Sequence, residues 1–215
     1  MRAQFHTEIE ALNRQTHELA EVVMNQVRCA ADAAATGNAA AAERVARNET
    51  DVDRRWEHID EQCMAILPLC APVAAELHTV FGITKVNHEL ERIGALARRI
   101  AHQSSVLALG GLPATARDIA LLAKLATVSC ARAIHAFMAQ DIDAAHAARQ
   151  DHALLHEVHK RLSTRFEEAL GEPGASAQAL LAGRTVVSSL AQIGDHTTRI
   201  AKLVTFMQPG EIAYG

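Results

Sequence analysis

Carboxylates at helical spacing are the residues in this sequence best suited to chemistry. Glu49 and Asp53 lie four positions apart. In a helix both side chains leave one face about one turn apart, where together they can grip a single cation. Without a cation the two repel modestly. Open solvent, or salt bridges from Arg54, Arg92 or Arg98, would balance the same charge. Elsewhere the pattern survives in halves: Glu91 stands four residues before Ala95, Asp195 four after Ala191, and Asp151 four before Leu155. Histidine adds a second donor type. His152, His156 and His159 fall at i, i+4 and i+7 on one helical face, with Asp151 and Glu157 close by. His88 precedes Glu91 by three residues, and His196 follows Asp195. Imidazole beside carboxylate suits zinc or iron; a simple polar face would show the same stripe.

Catalytic patterns fail specific tests. A ferritin-like di-iron site needs Glu-x-x-His on two helices, and no Glu here has a His three residues later. The zinc-protease motif HExxH, the nucleophile motif GxSxG and the phosphate-binding motif GxxxxGK[ST] do not occur. Cys29, Cys63, Cys70 and Cys130 form no CxxC pair, so they read as free, buried thiols in a reducing compartment. A formal net charge of −4 without a Lys/Arg block gives nucleic-acid binding no electrostatic support. These features predict a protein that binds without catalysing.

The elements that must position these residues are helices. Apolar residues make up 49% of the chain and aromatics only 3%, with much of the apolar share in Ala and Leu, which form helices at little entropic cost. Thr36-Gly37-Asn38 breaks the first stretch, with Asn38 as the expected N-cap of the second. Pro68 and Pro72 separate the second from the third. Gly110-Gly111 with Pro113 separates the third from the fourth, and Asp141 or Asp143 caps the fifth. Gly171-Glu172-Pro173-Gly174 precedes the sixth, which Pro209-Gly210 ends. Six helices of roughly 28 to 36 residues, about 40 to 50 Å each, predict an all-α bundle. In the third, Val73, Leu77, Val80, Ile83, Val86, Leu90, Ile93, Leu96 and Ile100 form one apolar stripe. The N-terminus lacks an apolar signal core, and the longest apolar candidate, Ala65 to Ala75, is about half a membrane span and holds two prolines. A soluble, cytoplasmic protein is expected.

The chain also repeats itself. Ile93-Gly94 and Arg99-Ile100-Ala101 recur as Ile193-Gly194 and Arg199-Ile200-Ala201, and Arg47-Asn48-Glu49 reads against Arg149-Gln150-Asp151. Two three-helix units, 1–109 and 110–215, follow. Gly94 and Gly194 sit inside long helices, where glycine costs about 1 kcal/mol relative to alanine. Either close approach of a neighbouring helix or close approach of a bound ion accounts for both.

Glu89-Leu90-Glu91-Arg92-Ile93-Gly94 resembles the ELERIGD segment of the PhoU family of phosphate-uptake regulators, and Ser189 to Asp195 resembles its second copy, SIERIGD. Ile59-Asp60-Glu61, Asp141-Ile142-Asp143 and the tandem layout extend the resemblance over nearly the whole chain. It implies an all-α fold of two tandem three-helix bundles, six long antiparallel helices, PhoU-like or spectrin-repeat-like. It implies an adaptor between a phosphate ABC transporter and a membrane sensor histidine kinase, restraining the phosphate-starvation response when phosphate is plentiful. A homodimer is expected, peripheral to the membrane through its partners. Some members bind iron, zinc, manganese or magnesium through Glu/Asp-xxx-Asp motifs. Here Ala95, Ala191-Gln192 and Leu155 replace motif residues, leaving Glu49, Asp53, Glu91, Asp151 and Asp195 as metal ligands, with His152, His156 and His196 as substitutes that would favour softer metals. The expectation is a weakly held divalent, iron or zinc ion or none, with no cofactor required. Two other readings stay open: a metal-binding bundle that senses or stores ions through its His-rich fifth helix, and a divergent paralogue serving another transporter.

Overall fold

The computed structural model describes residues 2–70, 74–109, 113–170 and 176–207. Within them the elements are α1 (Arg2–Thr36), α2 (Ala39–Arg47), α3 (Glu49–Cys70), α4 (Ala74–Leu109), α5 (Pro113–Ala139), α6 (Ile142–Ala169) and α7 (Ala177–Phe206). No strand occurs among the described residues. The six expected rods are present, the second divided by a one-residue turn at Asn48, whose φ of −92° and ψ of 1° leave the helical region. The signal lay in the acidic first turn that follows, Glu49 and Asp51, which suits the positive end of a helix dipole.

The caps are where the residue types place them. The Asn38 side chain accepts from the Ala41 amide at 3.2 Å, and Asp141 accepts from the Ala144 amide at 3.0 Å. Pro113 opens α5, where its missing N–H costs nothing. The stop at Pro68 is displaced, because α3 continues to Cys70; in the last turn the proline costs the helix the bond its N–H would have made to the carbonyl four residues back, and the helix ends soon after. Pro72, the Gly171–Gly174 stretch and Pro209-Gly210 lie outside the described residues.

Contacts between named residues give the direction of each rod. In the first repeat, Arg98 of α4 meets Glu49 and Asp53 at the start of α3, while His88 lies 3.8 Å from Asp60. In the second, Asp118 near the start of α5 pairs with Arg161 and Arg165 late in α6, and Arg132 near its end pairs with Asp151. Both pairs of rods are antiparallel. The repeats then join along α4 and α7, equivalent helices that also run antiparallel: His78 stacks on Phe206 at 4.0 Å, Glu89 meets His196, and Leu107 lies against Gly183. Matching helices in opposite directions place the two repeats in an approximate twofold relation. Alongside, His17 of α1 meets the Phe137 ring of α5 edge-on at 5.6 Å. One continuous core runs through both repeats.

On α4, Val80, Ile83, Val86, Leu90, Ile93, Leu96 and Ile100 are all buried as the stripe requires. Leu77 departs from it at 40% exposure. His78 holds the side facing α7 at that level, which turns its neighbour about 100° away. Val73 lies outside the described residues. The longest apolar segment is also not Ala65 to Ala75: Thr115–Ala139 of α5 is long and apolar enough to cross a membrane by length and composition. Half of that window is buried inside the bundle, so its apolar side serves the core.

Cys63 and Cys130 are buried free thiols and Cys29 is half-buried; the Cys70 side chain lies outside the described residues. Burial pushes the Cys130 thiol up to about 12, and the thiolate is the reactive form. A maleimide is therefore expected to label Cys29 in the native protein and to reach Cys130 only after denaturation, as mass spectrometry of the labelled peptides would read. Native labelling of Cys130 at the rate of Cys29 would show that the α5 core opens.

Candidate functional site

The acidic residues of the first repeat meet where α3 begins. Glu49 is the first residue of α3, and Asp53 stands one turn later. Facing them, Glu91, Ala95 and Arg98 recur at i, i+4 and i+7 along α4 and so share one stripe. Arg98 Nη1 donates to Asp53 Oδ1 at 3.0 Å, and its Nε lies 3.3 Å from Glu49 Oε1. The Arg98 side chain is only 20% exposed. The carboxylate pair thus holds a cation, and that cation is a guanidinium. Of the other two arginines weighed for this role, Arg54 pairs with Asp51 at 2.8 Å and Arg92 lies 3.5 Å from Glu91 on the surface. Arg55, which also donates to Asp51, holds that carboxyl below its ordinary range. Beside the cluster, α2 and α4 frame an open groove of about 730 Å³, lined by Ala39, Ala42, Ala46 and Ala101 and by Glu49 and Arg98.

The second repeat is arranged differently. Asp151 accepts from Arg132 Nη1 on α5 at both carboxylate oxygens, at 2.8 and 2.7 Å. Asp195 accepts from His152 Nε2 at 2.7 Å. The His152 and His156 rings stack with centroids 5.7 Å apart, and His159 lies 5.9 Å beyond. Burial pushes the His159 imidazole below its ordinary pKa; neighbouring His156 adds to this and Asp195 opposes it. Leu155, on the place of an acidic motif residue, is 1% exposed, and Ala191 is buried. Between the repeats, His196 Nδ1 donates to Glu89 Oε2 at 2.6 Å, with Arg199 at 3.8 Å from the same oxygen.

The two interior glycines admit neighbouring protein. A Cβ on Gly94 would lie 3.2 Å from a Val52 methyl and 3.4 Å from Gln26 Oε1. One on Gly194 would lie 2.8 Å from Leu155 Cδ1. Both serve close approach of helices.

Of the candidate ligands, Glu49 and Asp53 come together around Arg98, while Asp151 and Asp195 turn to different helices and Glu91 remains beside Arg92. Among the described residues, no three His, Cys, Asp or Glu converge as a metal ion would require. Arginines pair with Glu49, Asp53, Glu91 and Asp151, His152 pairs with Asp195, and Ala95, Ala191 and Leu155 offer no donor. This set does not fit the metal centre that the motif implies. Sequence reasoning missed Arg132 and Glu89. No local signal marks Arg132, because its partner lies on the next helix. Glu89 stood in view within its motif, but its role depends on α7 opposite.

The PhoU domain family model matches residues 16–104 and 119–204. A phosphate-specific transport system accessory protein PhoU homologue from a Burkholderia species is 26% identical over 211 residues, covering 97% of this chain and 90% of that protein. The homologue from Pseudomonas aeruginosa is 26% identical, covering 96% and 86%. Among solved structures, PhoU from Pseudomonas aeruginosa superposes with a TM-score of 0.89 at 25% identity, covering 94% of this chain and 98% of that one. The phosphate transport system regulatory protein PhoU from Streptococcus pneumoniae has the same fold, with a TM-score of 0.84 at 20% identity, covering 96% and 98%.

Proposed function

The chain belongs to the PhoU family, and on that premise we propose that it acts as a phosphate-signalling adaptor, linking a phosphate ABC transporter to a sensor histidine kinase and restraining the starvation response at high phosphate. The observation that carries this reading is the family match to both halves of the chain. The chemistry of the surface agrees with it. Most charged groups of the site pair with one another, which suits a scaffold more than a reaction centre. Long amphipathic rods, and the groove between α2 and α4 where alanines stand among Glu43, Glu49, Arg98, Arg99 and His102, offer faces for a partner helix. In this reading the chain works as a cytoplasmic homodimer that reaches the membrane through its partners.

A second reading, a paralogue serving another transporter, draws support from the motif positions that have become Ala95, Leu155 and Ala191. One experiment separates the two. A tagged chain is purified from membranes of its host grown in phosphate-rich medium, and its companions are identified by mass spectrometry. Phosphate-transporter subunits and a histidine kinase are the expected companions. A different transporter would favour the paralogue, and recovery of neither would sink the adaptor reading.

A further inference from the structure

We propose that Arg98 is the resident cation of the first repeat. Its guanidinium holds the place between Glu49 and Asp53 that a metal ion would otherwise take, so the α3–α4 contact closes without metal. Two carboxylates one turn apart repel modestly without a positive partner, and Arg98 reaches both: Nη1 donates to Asp53 at 3.0 Å, and Nε forms an ion pair with Glu49 at 3.3 Å. A guanidinium is charged at every physiological pH and carries its donors in a fixed planar fork, so it meets two acids where a lysine would supply one point charge.

Position 95 belongs to the same arrangement. A long side chain on a helix leans toward the N-terminus and covers the turn before its own Cα. The Arg98 stem therefore lies over the turn that holds Ala95. Alanine leaves that turn free, whereas an aspartate there would compete for the guanidinium. The small residue at 95 and the arginine at 98 are in this sense a matched pair. In the second repeat a different helix does the equivalent work, with Arg132 of α5 bridging both oxygens of Asp151, while Leu155 fills the neighbouring position with apolar core. The arginines do not occupy corresponding positions in the two repeats, so each half reaches charge balance by its own route. Arg98 would hold its place whichever partner the chain serves.

Thermal melting of the full chain, stripped with chelator and then titrated with manganese(II), tests this. Manganese is the probe because carboxylate oxygens suit it. For wild type the midpoint is expected to stay within about 1 °C across the titration. Arg98→Met keeps the apolar stem and removes the charge. It should melt lower than wild type in chelator and gain about 5 °C or more with saturating manganese. Adding Glu49→Gln and Asp53→Asn to Arg98→Met should abolish that gain. An Arg98→Met protein indifferent to manganese would overturn the proposal, since the vacated pair would then be no cation site. Equilibrium dialysis of wild type decides the matter even where Arg98→Met does not fold. Manganese bound by wild type and lost in Glu49→Gln/Asp53→Asn would overturn the proposal; no binding at that pair supports it.

Discussion

Leu155→Asp is expected to destabilise the protein by about 4 kcal/mol, among the largest effects of any single substitution. Leu155 is 1% exposed and packs where a Cβ on Gly194 would touch it. Aspartate there loses the buried leucine, leaves space beside Gly194, and puts a carboxylate into apolar core one turn from Asp151, whose charge repels it. A group in that setting either stays charged at a cost of several kcal/mol or takes up a proton and still lacks hydrogen bonds. Against a total stability of about 5–15 kcal/mol, such a loss removes a large fraction. The adjacent residue provides the control. Leu154 is 50% exposed, so Leu154→Asp should change stability by no more than about 0.5 kcal/mol. Urea denaturation in the presence of chelator reads both. Equal effects at 154 and 155 would show that α6 is rotated from the position described.

Gly183→Val is the second large effect, about 3 kcal/mol, read as a fall in melting temperature of roughly 6–12 °C for a chain of this size. A Cβ on Gly183 would lie 2.5 Å from two ring atoms of Phe166 and 3.2 Å from Leu107 Cδ1. Phe166 is 1% exposed and Leu107 is buried, so neither wall can yield without disturbing the core. Here α4, α6 and α7 meet, and glycine is the residue that lets them meet closely. Gly82, on α4, makes the contrasting case. The three nearest atoms to a Cβ there all belong to the Met207 side chain, a flexible thioether at the end of α7 that can turn aside. Gly82→Ala should be neutral or gain up to about 1 kcal/mol from helix propensity. Should Gly183→Val melt with wild type, the seam between the repeats would be looser than its geometry implies.

Much of this fold was legible along the chain because it is encoded locally. Asn38 and Asp141 announce their caps, and the α4 stripe from Val80 to Ile100 is a matter of period. The turn at Asn48 is not legible in the same way, because no glycine or proline at 47–49 marks a break in the helical pattern. Within the site, the acidic pair and Arg98 as one of three partners could be read from spacing. The choice among the three could not, since it depends on how far α4 slides along α3. Arg132 with Asp151, His152 with Asp195 and Glu89 with His196 all cross between helices. Register and rotation of whole rods set those pairs, and nothing within one helix records them. Leu155 and Ala191 looked like lost ligands in sequence; in the fold they are parts of the core.

The adaptor reading is the central claim, and its most direct test is a phosphate-starvation reporter in the host, grown in phosphate-rich medium with the gene for this chain deleted. Derepression of the reporter is predicted, with silence restored by the wild-type gene supplied in trans. A reporter that stays silent after deletion, in a host carrying no second member of the family, would contradict a role in restraining phosphate signalling.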